Sequence, residues 1–295
     1  MAGITVSAFV LTFIRRVDSF KNAFVKFNIS QSIGDVVVLT VFAVHAAPMT
    51  YFPDTKFLKI SLLNHLLGQF CAIAYVACIY THLMIALNRF TAIAFPLKNR
   101  LIFTPRNSNL ILLAVWMLSA LQAIIYSFPT CSFYYSLPNY GFIYAPTHCG
   151  YIVKFIYDFC QFIFIIIIVG IIDSATIYKI HKAFANVSLS SDDQRRRAYR
   201  EARLFLQAFL QDSVFLTGLV SFMIISTFMH TPWQIFFTTT FAWEMVHAVD
   251  GVITIACNPE LSAVLLHPCA SGRKVVTVRS EGTSIKRIGA ASHYL

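Results

Sequence analysis

Long apolar runs separated by short polar segments dominate the chain. A helix that crosses a hydrocarbon layer about 30 Å thick needs roughly 20 mainly apolar residues, because each residue adds about 1.5 Å. Six runs reach this length, and we predict helices at about 28–52, 61–88, 107–128, 151–172, 204–228 and 234–257. The pattern therefore predicts an all-α membrane protein.

A shorter apolar stretch, Met1–Ile14, precedes these six runs. A helix of this length reaches only about 21 Å, so it cannot span a bilayer unless the lipid thins. It is also unlike a signal peptide, whose positive charge comes before the apolar core, because Arg15 and Arg16 follow it. We interpret the stretch as the cytoplasmic end of a first helix that is short or truncated.

The composition agrees with a membrane protein and argues against metal and enzyme chemistry. Hydrophobic residues make up 57% of the chain and charged residues only 12%, whereas soluble chains contain about 25% charged residues. The seven cysteines are scattered, and neither a CxxC nor an HExxH spacing occurs. No serine is paired with a base in sequence either. We expect no metal site, no cofactor and no catalytic residues.

The lysines and arginines predict the orientation, because cytoplasmic segments accumulate them. Of the 23 lysines and arginines, 20 lie in residues 15–27, 89–106 and 179–203 or after His267. The exceptions are Lys56, Lys59 and Lys154, and segment 129–150 contains neither lysine nor arginine. We expect a multi-pass plasma-membrane protein with its N-terminus outside and its tail inside. The net charge of +10 then lies at one membrane face, where anionic lipid and not nucleic acid is the expected partner.

Two cysteines share the long segment that this topology places outside. Cys131 and Cys149 would lie in an oxidising compartment, where a disulfide between them can persist. Two separate thiols are the alternative.

Polar residues at membrane depth indicate where a cavity lies, because each is costly in lipid and usually faces the protein interior. Helical spacing places such residues in one stripe on each of the third, fifth and seventh helices. From these stripes we expect a ligand site formed by Tyr75, Cys78, His82, Asp158, Gln161, Glu244 and His247. Lys154 and Asp158 are also spaced for an i,i+4 ion pair. The alternative is that the polar groups only hold the helices together, and for His82 or Gln161 taken alone this is the simpler interpretation.

The end of the third helix carries a distinctive sequence motif. The segment Met84-Ile-Ala-Leu-Asn-Arg-Phe-Thr-Ala-Ile-Ala-Phe-Pro96 resembles the Asp-Arg-Tyr motif of G-protein-coupled receptors, with Asn88 in place of the acid. Other stretches resemble the nematode serpentine receptors of class x, called Srx. They are Lys21-Asn-Ala-Phe, Ser30-Gln-Ser-Ile-Gly, Cys131-Ser-Phe-Tyr-Tyr, Gln194–Glu201 with Gln207, and Phe241–Gly251 with Asn258-Pro-Glu-Leu261.

This resemblance implies a seven-transmembrane-helix receptor bundle over residues 1–267 and a basic cytoplasmic tail over 268–295. Such a chemoreceptor would bind an extracellular small-molecule or peptide ligand and activate a heterotrimeric G protein, without enzymatic activity. The residues implied in coupling are Asn88, Arg89, Phe90, Arg195, Arg196 and Arg197. For the arginine run, a solvated patch beside the lipid is the alternative.

Several departures from the receptor pattern keep other interpretations open. Asn258-Pro259 is followed by Glu260 and Leu261, and the tyrosine of the Asn-Pro-x-x-Tyr motif is absent. The sixth helix lacks the Cys-Trp-x-Pro motif, and the cysteine that normally heads the third helix is missing. The missing cysteine favours a bridge within the loop. A diverged receptor that no longer signals is one alternative. A small-solute transporter or channel is another, although neither inverted repeats nor matching broken helices occur.

The charge distribution generates a test of topology. Single cysteines introduced in segment 138–145 are expected to react with a membrane-impermeant thiol reagent on intact cells, because this segment lies outside. Cysteines introduced in segment 188–192 should react only after the cells are permeabilised. The reverse labelling pattern would overturn the orientation.

Overall fold

The computed structural model describes residues 1–14, 23–52, 61–187, 192–258 and 261–262. Within these ranges the chain forms seven main helices, named here in chain order. They are α1 (Ala2–Ile14), α2 (Ala23–Tyr51), α3 (Ser61–Ala94), α4 (Pro105–Ser127), α5 (His148–Ile152 through Val153–Cys160 to Gln161–Val187), α6 (Asp192–Met223) and α7 (Pro232–Phe236 through Phe237–Phe241 to Ala242–Cys257). A short helix, Pro96–Ile102, connects α3 and α4. The predicted tail 268–295 lies outside the described residues.

Lipid explains why the described chain is so helical. Backbone N–H and C=O groups find no partner in hydrocarbon, and a helix satisfies them within one segment. Helices α2 to α6 are long and apolar enough to cross a membrane. Helix α7 is also long enough but more polar, since it carries Glu244, His247 and Asp250. Helix α1 has only 13 residues, as the sequence predicts.

Two helices extend well beyond the predicted apolar runs. Helix α5 continues from the predicted end at 172 to Val187, and α6 begins at Asp192 instead of 204. An apolar run marks only the part of a helix that contacts lipid or the protein core. Arginine, glutamate, alanine and lysine also favour helix in water, so the helices continue into polar sequence where the predicted apolar segments stop.

Helix α3 lies at the centre of the bundle and packs against α2, α4, α5 and α6. Helix α1 packs against α2 and α7. Its side chains Ser7 and Val10 are fully buried, so the short helix is an integral part of the bundle.

One end of the bundle is covered by a β-hairpin in segment 129–150, where the apolar pattern predicts only a long loop. Strand β1 (Phe133–Ser136) pairs antiparallel with β2 (Gly141–Tyr144). The Asn64 side chain of α3 anchors the hairpin, because it donates to the Tyr135 carbonyl (2.8 Å) and accepts from the Tyr135 N–H (2.9 Å). Burial raises the pKa of the Tyr135 hydroxyl, which is hydrogen bonded to Thr50.

A disulfide between Cys131 and Cys149 joins the segment before β1 to the start of α5, with the two Cα atoms 5.0 Å apart. The hairpin is therefore attached covalently as well as by hydrogen bonds. We refer to the end of the bundle that it covers as the hairpin end, and to the opposite end as the Arg89 end.

Three helices contain π-helical segments close to the hairpin end. These are Phe42–Ala46 in α2, Val153–Cys160 in α5 and Phe237–Phe241 in α7. A π-helix bonds residue i to i+5, so each segment rotates the side chains that follow it relative to an α-helical register. Such segments occur frequently at functional sites.

The close approach of the hairpin to α3 predicts the effect of one substitution. A Cβ atom at Gly68 would overlap the backbone of Phe133, so Gly68→Ala is expected to displace the hairpin and destabilise the protein by about 1–3 kcal/mol. Gly170→Ala is the matched control, because nothing lies within 4 Å of a Cβ at that helical position. Thermal unfolding of both variants in lipid nanodiscs measures the effect. Equal midpoints would contradict this packing.

Candidate ligand-binding site

A buried cavity of about 40 Å³ lies beneath the hairpin. It is bounded by side chains of α3, α4, α5, α6, α7 and the hairpin. Its lining residues are Ala72, Tyr75, Val76, Tyr126, Phe133, Tyr144, Asp158, Phe162, Phe215, Gly218, Leu219, Phe222, Met223, Trp243 and Val246. A water molecule needs about 10–15 Å³ of such space, so the cavity has room for a few waters or one small ligand.

Among the described residues that line the cavity, Asp158 alone is charged. Its side chain is 1% exposed and accepts hydrogen bonds from two tyrosines. The Tyr126 hydroxyl lies 2.8 Å from both carboxylate oxygens, and the Tyr144 hydroxyl lies 2.8 Å from Oδ2. These bonds connect α5 with the end of α4 and with β2, so Asp158 also fixes the hairpin over the cavity.

The predicted ion pair between Lys154 and Asp158 is wrong. Lys154 Nζ lies 4.9 Å from the centroid of the Phe155 ring and borders a separate groove at the hairpin end. Both residues fall within the π-helical part of α5. The Asp158 carboxylate is bonded to Tyr126 and Tyr144, whereas Lys154 packs on the ring of its neighbour Phe155, so the two side chains turn to different partners.

Aromatic rings form most of the cavity wall. The Tyr75 ring meets Trp243 and Phe162 nearly at right angles, with centroids 5.3 and 5.4 Å apart. Trp243 also packs edge-on against Phe42 of α2 and Phe142 of β2. Offset and edge-to-face contacts of this kind add about 0.5–1.5 kcal/mol each beyond burial. The wall is therefore rigid and belongs to several helices at once.

Three buried side chains joined by hydrogen bonds lie next to the cavity on the side of the Arg89 end. Trp243 Nε1 donates to His247 Nε2 (3.0 Å), and His247 Nδ1 lies 2.7 Å from Asp35 Oδ1. Since Nε2 accepts, the imidazole proton is on Nδ1 and bonds Asp35. We call Trp243, His247 and Asp35 the buried triad; it joins the cavity wall of α7 to α2.

Cys78 lies beside this triad. Its sulfur and the nearest ligand atoms of Asp35 and His247 are all within 4.8 Å of one another. These three side chains could coordinate a metal ion, but the Asp35–His247 hydrogen bond already accounts for their arrangement.

Another polar cluster lies between α3, α5 and α6. His82 Nδ1 lies 2.8 Å from Asp212 Oδ1, and both residues line a second cavity of about 230 Å³ together with Asp173. Tyr75 and Phe215 line both cavities, so their rings form the wall between them.

The residues predicted from the three stripes fall into different places in the structure. Tyr75 and Asp158 line the cavity, and His247 and Cys78 lie next to it. His82 lines the second cavity. Gln161 bonds Gln122 (2.7 Å) and the Tyr80 hydroxyl (2.6 Å) outside the lining, and Glu244 is partly exposed and is not among the lining residues.

Sequence reasoning missed several polar residues of these clusters. Asp35, Asp173 and Asp212 are carboxylates within or beside predicted apolar runs, so the membrane-depth criterion applied to every helix would have found them. Trp243 and Phe215 carry no such signal, because aromatic residues are common throughout these helices.

The implied coupling residues lie at the Arg89 end. Arg89 is 3% exposed, and its guanidinium carbon lies 3.6 Å above the Phe24 ring of α2. Asn88 is also buried, and its carbonyl accepts from Asn99 (3.1 Å), whereas Phe90 contacts Phe95. Arg195, Arg196 and Arg197 lie in α6, but their side chains are outside the described part of the chain.

This architecture matches a solved receptor structure. The chain is similar to the crystal structure of squid rhodopsin, with a TM-score of 0.72 and 17% identity over 90% of this chain and 81% of that one. The fold is therefore that of a seven-transmembrane, rhodopsin-like receptor.

Sequence comparisons identify the family. Residues 1–258 match the family model for serpentine type 7TM GPCR chemoreceptors Srx. Serpentine receptor class X 45 of Caenorhabditis elegans is 31% identical, over 91% of this chain and 79% of its own length. Serpentine receptor class X-43 of the same organism is 25% identical, over 75% of this chain and 71% of its own length. The chain belongs to the Srx family.

The disulfide generates a prediction about stability. Replacing Cys131 or Cys149 with serine is expected to lower the unfolding midpoint, because the bridge closes a loop with a separation of 18 residues and such bridges contribute about 3 kcal/mol. The double replacement should cost no more than either single one, since one change already breaks the bond.

Cys160→Ser is the control for thiol removal, because Cys160 is a free, exposed cysteine of α5. Additive losses at Cys131 and Cys149 in a thermal unfolding assay would speak against the bridge.

Proposed function

We propose that this protein is a chemosensory receptor that binds an extracellular ligand in the cavity beneath the hairpin and activates a heterotrimeric G protein at the Arg89 end. In this proposal the hairpin end faces the outside of the cell, and the tail 268–295 lies on the cytoplasmic side of the plasma membrane. The observation that carries the proposal is the buried triad, which connects the cavity wall to the helices that lead toward Arg89.

The ligand acts on the triad through Trp243. This side chain lines the cavity and also donates to His247, so a ligand that displaces the indole ring alters the Asp35–His247 hydrogen bond between α2 and α7. A ligand changes the balance of two arrangements only by binding one more tightly than the other. Through the triad, the preference of a ligand for one arrangement is transmitted to the packing of α7 against α2.

A second set of hydrogen bonds lies closer to the Arg89 end. Gln207 of α6 donates to Asn28 of α2 (2.8 Å), and Gln211 donates to Thr254 of α7 (3.1 Å). These bonds hold α6 against its neighbours. Movement of α6 away from the bundle must break them, so they stabilise the arrangement seen in the structure.

Arg89 is covered in this arrangement. Its stacking on Phe24 and its burial beside α2 keep the guanidinium from the surface, and we take the structure to represent the state that does not engage a G protein. Activation in this scheme uncovers Arg89, while Asn88, Phe90 and the basic segment Arg195–Arg197 complete the contact surface.

The scheme predicts separate effects for the two ends. Arg89 lies 14 residues after Tyr75, about 21 Å along α3, so no ligand in the cavity touches it. Arg89→Ala is expected to abolish nucleotide exchange on a purified G protein, and ligand affinity should change by no more than the usual coupling range of about 5–150-fold. Tyr75→Ala should weaken ligand binding and leave basal exchange.

Arg106→Ala is the control, because Arg106 is an exposed arginine at the same end of the bundle. Arg89→Lys distinguishes a specific guanidinium contact from a general positive charge at the lipid surface. Full signalling by both Arg89 variants, at normal surface expression, would refute the role of this residue.

A further inference from the structure

The cavity carries one negative charge that no lining residue in the described part of the chain compensates. Asp158 accepts from Tyr126 and Tyr144, which are neutral donors, and the described lining contains no lysine, arginine or histidine. The nearest lysine along α5, Lys154, is directed to Phe155 and to a different groove. Burying a carboxylate without a cation is unfavourable even when it is hydrogen bonded. The cavity is thus complementary to a positively charged ligand.

The hydrogen bonds of Asp158 limit what such a ligand can donate. An ionised carboxylate offers about four acceptor positions, and the two tyrosine hydroxyls donate one proton each, that of Tyr126 being shared between both oxygens. About two positions are left, which matches a cation with one or two N–H groups. A guanidinium or a primary ammonium carries more N–H groups than this site can satisfy.

The walls are suited to the remainder of such a cation. The faces of aromatic rings are electrostatically negative and attract ammonium groups, with Trp the most effective. Trp243 and Tyr75 meet at an angle of 79°, and Tyr75 and Phe162 at 77°, so the rings form the corners of a box beside Asp158. Phe133 and Phe215 add further rings to the lining.

We propose that the cavity binds a small alkylammonium ion with one or two N–H groups, which is a protonated secondary or tertiary amine. Its N–H groups bond the Asp158 carboxylate, and its alkyl groups pack against Tyr75, Trp243 and Phe162. The cavity volume of about 40 Å³ restricts the ligand to small alkyl groups. This inference rests on the proposed function only in taking the cavity as the ligand site, so its test measures binding and not signalling.

The test compares compounds of similar shape and different charge on the full chain in lipid nanodiscs at neutral pH. Trimethylamine and tetramethylammonium are the cations, tert-butanol is the neutral counterpart and pivalate is the anion. A compound that binds the folded state raises the unfolding midpoint in proportion to its occupancy, so titration to about 10 mM gives its affinity. We expect trimethylamine to bind most tightly, tetramethylammonium less tightly, and the other two to produce no shift.

Variants then locate the interaction. Asp158→Asn keeps an oxygen that accepts from both tyrosines but removes the charge, and it is expected to reduce trimethylamine affinity at least tenfold. Asp173→Asn is the matched control, because Asp173 is a buried carboxylate of the same helix that lines the second cavity and not this one. It should bind trimethylamine as the wild type does.

Three results would overturn the proposal. They are equal binding of tert-butanol and trimethylamine, unchanged affinity in Asp158→Asn, and no midpoint shift by any amine at about 10 mM. The first and third need no variant and so hold even if Asp158→Asn does not fold. If amines bind but no G protein responds, the proposed receptor function fails and the ligand class stands.

Discussion

The absence of hydrogen-bonding solvent in the hydrocarbon layer is the constraint on which this structure depends. A buried polar group is stabilised only by a partner within the protein. The partners observed lie on different helices: Asp35 with His247, His82 with Asp212, and Asn28 with Gln207. These pairs determine how the helices are rotated and aligned, because apolar packing against lipid tails gives little preference of its own.

The same constraint limits the arrangements that the bundle can adopt. A pair of buried polar groups can be separated only if both find other partners, which favours discrete arrangements over continuous deformation. Trp243 belongs to such a pair through His247 and also lines the cavity. A single side chain therefore lines the cavity and also takes part in helix alignment.

Local sequence patterns predicted much of the fold and part of the site. Helices follow directly from apolar runs, and the stripe rule placed Tyr75 and Asp158 on the faces that line the cavity. The i,i+4 rule failed for the ion pair of Lys154 and Asp158, because Asp158 bonds Tyr126 and Tyr144 of other segments and no local pattern in the sequence identifies these partners.

Other features depend on contacts between distant segments. The partner of His247 is Asp35, 212 residues away, and nothing in the local sequence of either residue identifies the other. The hairpin could not be predicted for a similar reason. Its strands are only four residues long, and the Asn64 side chain of α3 completes the hydrogen bonding of Tyr135.

The covalent attachment of the hairpin also has a kinetic consequence. Phe133 and Tyr126 are almost completely buried, and the disulfide between Cys131 and Cys149 keeps the strands close to α5. If the cavity binds a ligand as proposed, these side chains lie beside it, and their mobility contributes to its residence time together with contact strength.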